Sequence, residues 1–290
     1  MARTPTAQDT PVLGLTQGLE VLDCHASARR PLEVAEVAQL TGIAPRTVGR
    51  LVATLVRLGH LRAASEGAGH ELAAGVVRLA EGYLVGIDVR QQSRRHVVAL
   101  AEACSASSFL GVRLDDEMLV VEAARSRSAL ALLGSDIGTR MDIGTSALGR
   151  AWLAGVDAPT RQAVLARFRD GPAWLRGKAG RALDLALADA AQRGYALSLG
   201  EWHPNINSAA VPIRTPGGEV VSMNCGGPAF LIPKARLEAV IVPRLLRAAA
   251  AFARDIGGVS GPALTQAALP PRRVRARTAA SRPAVEGAAD

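Results

Sequence analysis

One stretch constrains this chain more than any other: PLEVAEVAQLTGIAPRTVGRLVATLVRLGHLRAASEGAGHEL, from Pro31 to Leu72. On a wheel of about 100° per residue, Val48, Leu51, Val52, Leu55, Val56 and Leu58 fall on one broad side of the segment Ala44 to Leu58. Arg46, Arg50 and Arg57 fall on the opposite side, with Thr47 and Thr54 flanking them. An apolar back and an arginine-lined front suit a helix that packs on a small core while facing polyanionic DNA. Taken alone, the wheel suits a solvated amphipathic helix equally well.

The surroundings separate the two. Upstream, Leu32, Val34, Val37, Ala38 and Leu40 mark a short helix that ends at Thr41-Gly42, where glycine accepts a left-handed cap. Pro45 then stands at a helix N-terminus, where its missing N–H costs nothing. Two helices joined by a glycine-bearing turn, the second basic-faced, form a helix-turn-helix. After Gly59 come two short extended pieces around a glycine tip, which predicts a wing.

The 290 residues carry a net charge of +8, and Lys178 and Lys234 are the only lysines. That excess of arginine fits a nucleic-acid partner or a GC-rich genome. Over residues 1–85 the arginines are offset by eight carboxylates, so positive potential there has to be local, on the recognition helix with Arg29, Arg30 and Arg62. No apolar run approaches the roughly 18 residues of a membrane span, and MARTPTAQDTPVL has no apolar core of a signal sequence. Cys24, Cys104 and Cys225 are odd in number and scattered, without metal-ligand spacing. These features predict a cytoplasmic, reduced protein with no metal, no cofactor and no membrane partner.

Residues 1–12 read as a disordered lead-in and 13–74 as the winged helix-turn-helix domain, whose first helix, Gly14 to Ala28, turns Leu15, Leu19, Val21 and Leu22 to the core. A linker helix is expected over 75–90, with a break near Gly86. Val76, Val77, Leu79, Ala80, Tyr83, Leu84 and Ile87 give it more apolar surface than one wing covers, so it packs on a second subunit or elsewhere in its own chain. Residues 91–258 read as an α+β domain. SFLGVRL and EMLVVEAA flank Asp115-Asp116 as a hairpin, followed by the apolar ALALL at 129–133 and a helix capped by Thr145 or Ser146. Two further helices, strands near 195–199, 207–213 and 218–226, and a long helix over 233–256 suit one sheet with a ligand cavity on one face. Residues 259–290, ending PPRRVRARTAASRPAVEGAAD, read as a disordered basic tail that adds salt-sensitive DNA affinity.

RPLEVAEVAQLTGIAPRTVGRLVATLVRLGHL, MDIGTSALGRAWLAG, RGYALSLGEW and NCGGP, in this order from about Leu15 to Gly257, resemble the landmarks of the IclR family of bacterial transcriptional regulators. The resemblance implies a winged helix-turn-helix, a linker helix used in dimerisation, and a GAF-like effector domain that often pairs dimers into tetramers. It implies a DNA operator, a small-molecule effector such as a carboxylate or aromatic acid of a catabolic pathway, and a homodimer or dimer of dimers. The family's effector pocket falls on Leu130, Leu133, Met141, Ala147, Leu148, Ser198, Ser208, Asn224 and Gly226. The residues agree in part: along 218–226, Ser222, Asn224 and Gly226 share one face and Val221, Met223 and Cys225 the other. A helix starting at Thr145-Ser146 offers N–H groups and a positive dipole end to a carboxylate. Without the resemblance, these residues read as ordinary strand surface and ordinary capping.

On DNA, Arg46, Thr47 and Arg50 are expected at base edges, Thr54 and Arg57 at phosphate, and Arg62 at phosphate from the wing's first strand. The wing departs from the family pattern, with Glu66 at its tip and His70 at the aromatic position. Gly49 interrupts the recognition helix at a cost of about 1 kcal/mol relative to alanine. An enzyme is not expected: Glu201, His203 and Cys225 are catalytic residue types, but no nucleophile elbow, metal motif or phosphate loop surrounds them. Cys225 alternates onto the apolar face as a core thiol. An architectural DNA binder without effector is the remaining alternative, and a ligand-accepting cavity in the second domain separates it from a regulator.

Overall fold

The structure is a computed structural model and describes residues 11–86, 88–126, 136–169 and 178–267. The chain divides into two compact units, Met1–Ile87 and Asp88–Asp290, a boundary that falls inside the stretch 75–90 expected as a linker.

The first unit contains α1 (Leu13–Ala28), α2 (Val34–Thr41), α3 (Pro45–Arg57), the hairpin β1 (Leu61–Ala63) and β2 (His70–Leu72), and α4 (Gly75–Gly86). Gly42 closes α2 with φ +72°, and its N–H bonds the Ala38 carbonyl, so the chain reverses within a few residues to launch α3. Pro45 opens α3 where no intrahelical partner is lost. Val21, Leu32, Val37, Ile43, Val48, Val52, Leu55 and Leu61 form the core. Leu32 also bonds His70 through both backbone groups and so adds a bridge to the wing. Two expected faces differ. On α1, Val21 is buried as expected and Leu22 packs against the core, but Leu15 and Leu19 are exposed, and His25 is buried beside Val21. On α3, Val56 and Leu58 are exposed. Both pairs sit at the edge of their apolar stripes, where this small core has no further element to cover them. On α4, Val77, Leu79 and Tyr83 are likewise exposed.

The second unit has an antiparallel sheet built from β3 (Ser107–Leu114), β4 (Glu117–Arg125), β5 (Arg140–Asp142), β6 (Ala196–Leu199), β7 (Ile206–Arg214) and β8 (Val220–Pro228). Their order is β5-β4-β3-β8-β7-β6, and a two-residue β9 (Val259–Ser260) pairs with β7. The first hairpin turns at Asp115, whose φ of 52° fits the Asp-Asp turn expected there. Helix α5 (Asp88–Cys104) precedes the sheet. Its arginines Arg90 and Arg94 pair with Glu122 of β4, an almost fully buried carboxylate, at 3.3 Å each. Helix α6 (Ala147–Gly155) is buried along its whole length and carries Leu148, Ala151, Trp152 and Leu153 into the core, followed by α7 (Ala158–Arg169) and α8 (Lys178–Arg193).

The closing helix runs as α9 (Lys234–Arg236), a π-turn (Leu237–Ile241) and α10 (Val242–Asp255). Pro243 lacks the N–H that would continue the ladder, and the widened turn precedes it. Residues 259–267, expected within the disordered tail, are instead structured. Strand β9 and α11 (Pro262–Ala267) are ordered, because Ile213 and Arg214 pair with Ser260 and Val259, and Leu264 and Thr265 are buried. A two-residue strand followed by Gly-Pro leaves no periodic signal in sequence. Residues 1–10 and 268–290 lie outside the described residues. No helix among those described is long and apolar enough to cross a membrane.

Candidate functional site

In the first unit, α3 presents Arg46, Arg50, Thr54 and Arg57 to solvent, with Thr47 half-buried. None of the three arginines makes an ion pair among the described residues. The Thr54 hydroxyl donates to the Arg50 carbonyl at 2.9 Å, which leaves its oxygen as an acceptor on the surface. Arg62, exposed on β1, pairs with Glu71 across the hairpin at 2.7 Å. Arg30 pairs with Glu36 through two hydrogen bonds. The positive surface is therefore narrower than sequence suggests and centres on Arg46, Arg50 and Arg57. Glu66 is exposed at the wing tip, and His70 is half-buried.

In the second unit an enclosed cavity lies where β3, β7 and β8 meet the start of α6. Met141, Ser146, Ala147, Ser208, Asn224 and Gly226 line it together, and Phe109, Trp202 and Ile206 complete the lining. Its free volume here is about 10 Å³, room for about one water molecule. Strand register explains the gathering: Asn224 is paired with Phe109 on one side, and Gly226 with Ser208 on the other. A Cβ on Gly226 would lie 2.5 Å from the Asn207 carbonyl oxygen and from Ser208 Cβ, so only glycine lets β7 approach this closely.

The polar groups of the cavity are partly engaged. Asn224 Oδ1 accepts the Phe109 N–H at 3.0 Å, and the Asn224 carbonyl accepts the Ser108 hydroxyl at 2.7 Å. Ser146 caps α6 by accepting the Gly149 N–H at 3.1 Å. The preceding loop already holds a carboxylate of its own. Asp142 Oδ1 accepts from Gly144 N, Thr145 N and the Thr145 hydroxyl at 3.0, 2.7 and 2.7 Å. Thus much of the donor capacity expected from the start of α6 is spent internally, and the amide N–H groups of Asn224 and the Ser208 hydroxyl gain weight as ligand donors.

Arg150, nearly fully buried in α6, ties the two loops beside the cavity together. It donates to the Gly144 carbonyl at 2.9 Å, to the Leu197 carbonyl at 2.8 Å and to Glu201 at 3.0 Å. Glu201 also accepts the Leu199 N–H and sits next to Trp202 of the lining. Burial alone would raise the Glu201 pKa, but Arg150 and backbone donors hold the carboxyl below its ordinary value.

The remaining sequence candidates sit elsewhere. Leu148 is in the core against Gly111, and the Ser198 hydroxyl accepts from Trp202 N at 3.4 Å without lining the cavity. Leu130 and Leu133 lie outside the described residues. Phe109, Trp202 and Ile206 were missed. Nothing periodic marks Trp202, which lies in a bend, and Phe109 joins the lining through a strand register that the sequence does not show.

A larger hollow of about 560 Å³ lies between the two hairpin ends and α7, lined by Arg113, Trp152, Asp157, Arg214 and Glu219. It is open and polar, and its groups have partners. Arg113 stacks over Trp152 at 5.0 Å, Arg214 donates to the Gly155 carbonyl at 3.0 Å, and Asp157 caps Thr160 at 2.7 Å. An enclosed, largely apolar cavity suits a small organic ligand better than this groove. No group of three or more His, Cys, Asp or Glu among the described residues is arranged to hold a metal.

Comparison with known proteins bears on both units. The family described as "IclR helix-turn-helix domain" matches residues 14–64, and "Bacterial transcriptional regulator IclR C-terminal" matches 81–256. The HTH-type transcriptional regulator TsaQ1/TsaQ2 of Comamonas testosteroni is 26% identical over 238 residues, 81% of this chain and 84% of that one. The crystal structure of an IclR family transcriptional regulator from Brucella abortus has a TM-score of 0.74 at 32% identity, covering 85% of this chain and 94% of that one. An IclR homologue from Microbacterium hydrocarbonoxydans, complexed with 4-hydroxybenzoate, has a TM-score of 0.66 at 23% identity and covers 84% of this chain and 99% of that one.

Proposed function

The chain belongs to the IclR family of bacterial transcriptional regulators, and on that premise we propose that a small carboxylate or aromatic acid of a catabolic pathway controls its binding to a DNA operator. It is a DNA-binding regulator rather than an enzyme, as its relatives are. Arg46, Thr47 and Arg50 read base edges from the first turns of α3, and Thr54 and Arg57 touch phosphate. Arg62 reaches phosphate only by leaving Glu71, and the wing tip contributes nothing, since Glu66 faces solvent there.

The observation that carries the ligand reading is the enclosed cavity in which Asn224, Ser208 and Ser146 converge against Phe109, Met141, Trp202 and Ile206. Two aromatic walls and a small set of polar groups suit a flat acid with a second polar substituent, the class to which the 4-hydroxybenzoate of the Microbacterium homologue belongs. No cationic side chain lines the cavity among the described residues. The carboxylate is held by neutral donors and the positive end of the α6 dipole, because the charge of Arg150 is committed to Glu201. Leu130 and Leu133 join the apolar lining by the family resemblance alone, as do Leu148 and Ser198 as second-layer support.

Effector entry has to open a nearly closed cavity, and this biases a homodimer between arrangements with different half-site spacing. The exposed Leu15, Leu19, Val77, Leu79 and Tyr83 are the apolar positions a second subunit would cover, and a dimer of dimers extends the same scheme.

A thermal-shift screen of the full-length protein against catabolic carboxylates tests this directly. A true effector at about 100 times its Kd stabilises by about 2.7 kcal/mol and changes operator affinity in the same concentration range. Operator binding that no acid in the panel alters would return the chain to the architectural reading.

A further inference from the structure

Strand β4 carries one residue more than its pairing with β3 uses. Leu110 is paired with Glu122 and Gly111 with Val120, so Val121 between them has no partner on β3. The extra residue is a bulge, and it resets the alternation of the strand. Met118, paired with the cavity residue Met141, and Val120 belong to the core on the α6 side. By strict alternation Glu122 would follow them there and set a carboxylate on the cavity side. The bulge turns Glu122 to the opposite face, and Ala123, paired with the cavity residue Phe109, takes up the cavity side.

On that opposite face the first two turns of α5 hold the bulge. Arg90 Nε donates to the carbonyl of Val121, the residue that β3 leaves unpaired, at 2.9 Å. Arg94 donates to Glu122 Oε1 at 3.3 Å. Glu122 Oε2 has the charge of Arg90 at 3.3 Å but no hydrogen-bond donor among the described residues, because the Arg90 Nε–H is turned to Val121. The residue is only 1% exposed. A buried carboxylate held on these terms tolerates little displacement before its pairing fails. The far ends of the two elements are tied separately, where the Ser126 hydroxyl donates to Glu102 at 3.0 Å.

We propose that Glu122 is a positioning residue that couples filling of the cavity to the start of α5, which rests on the reading of that cavity as the effector site. The walls Phe109 and Met141 stand on β3 and β5, the two strands that flank β4, around a free space of about 10 Å³. An occupant has to displace a wall, and either wall loads β4 from one side. The strand yields at the bulge, where its ladder is already interrupted. Displacement of Val121 and Glu122 breaks the hold on Arg90 and Arg94 and frees the first turns of α5. That helix opens the second unit at Asp88, directly after the boundary at Ile87. A change in its first turns is therefore what the chain passes on towards the DNA-binding unit.

The test fills the cavity with a side chain instead of an acid, so its failure is distinct from failure of the effector reading. Ser208→Leu enlarges the β7 wall, with the smaller Ser208→Val in its place if circular dichroism shows the first to be unfolded. The substitution is made in the full-length parent and in Glu122→Gln, and hydrogen exchange is read by mass spectrometry over 92–98, with 99–104 as reference. In the parent it should speed exchange over 92–98 about tenfold and leave 99–104, tied through Glu102, unchanged. Glu122→Gln alone should already speed exchange over 92–98, and the added Ser208 substitution should then contribute less than about twofold. Arg94→Gln, at an exposed side chain, completes the same cycle if Glu122→Gln does not fold. Unchanged exchange over 92–98 on filling the cavity, or equal acceleration of 99–104, would overturn the proposal. So would effects that multiply in the double variant, because a Glu122 that only stabilises α5 acts independently of the cavity.

Discussion

The side-chain carbonyl of Asn224 accepts the backbone N–H of Phe109, its directly paired partner on the neighbouring strand, at 3.0 Å. One acceptor of the amide is thereby engaged in holding the sheet, and its N–H groups are what it offers a ligand. The choice of variant follows from this. Asn224→Leu would orphan a buried N–H and cost about 1–3 kcal/mol of stability, confusing a folding defect with a binding defect. Asn224→Asp keeps an acceptor for Phe109 but sets a carboxylate against the ligand's own. The Asp variant should bind operator normally and need at least about tenfold more effector, equivalent to about 1.4 kcal/mol. Effector titration of an operator complex checks this, and a wild-type response removes Asn224 from the ligand site.

On the DNA side, Arg50 is exposed and lies opposite the buried Val48, Val52 and Leu55. Arg50→Ala should keep the fold and weaken operator binding by about 1–3 kcal/mol at fixed salt. Arg62→Ala should do much less, because Glu71 already holds that guanidinium. Glu71→Gln is the informative partner: it frees Arg62 and should steepen the salt dependence of DNA binding by about one unit of log–log slope. Equal losses for Arg50→Ala and Arg62→Ala would mean that the Arg62–Glu71 pair dissolves on DNA.

How much of this was legible beforehand depends on whether a feature is periodic. The helix-turn-helix was readable because Gly42, Pro45 and the Val48–Val52–Leu55 stripe are local signals, each with its own physical cause. Asn224, Ser208 and Gly226 were readable as a small polar face through strand alternation and the family resemblance. The engagement of Asn224 by Phe109 was not, since it depends on register between strands more than a hundred residues apart. Asp142, whose carboxylate fills the loop that sequence offered to a ligand, is a different case: its contacts are with Gly144 and Thr145, two and three residues on, and this local turn was overlooked. The exposure of Leu15 and Leu19 was misread for another reason: a helical wheel gives the direction of an apolar face but not whether anything stands there to cover it.

Gly49 offers a sharper test of the recognition helix. A Cβ built there meets nothing within 4 Å, and the residue lies inside α3. Gly49→Ala should therefore stabilise the protein by up to about 1 kcal/mol, read as a higher midpoint of denaturant unfolding. If Gly49 serves close approach to the DNA backbone, the more stable variant will bind operator more weakly. Higher stability with unchanged affinity would show that the glycine is merely tolerated.

The Arg150–Glu201 pair joins the cavity to pH. Glu201 has a carboxyl pKa held below its ordinary value, burial opposing and Arg150 with backbone donors prevailing. A group whose pKa is lowered on folding contributes stability that is present above its unfolded value, roughly 4.3, and lost as pH falls through the folded value. The carboxylate is 45% exposed, so solvent screens the pair and the contribution stays below about 1 kcal/mol. Glu201→Gln keeps an acceptor for the buried Arg150 but removes the charge and the second acceptor that serves the Leu199 N–H. Its Tm should fall slightly below that of the parent at neutral pH, and the two curves should converge as pH drops below about 4. Because the Glu201 loop carries Trp202 onto the cavity, the same variant should also admit effector faster at neutral pH, measurable by stopped-flow Trp fluorescence. Parallel Tm curves down to about pH 3 would show that the charge of Glu201 does not hold this loop. Convergence without faster effector entry would confine the pair to stability and leave opening of the cavity to another element.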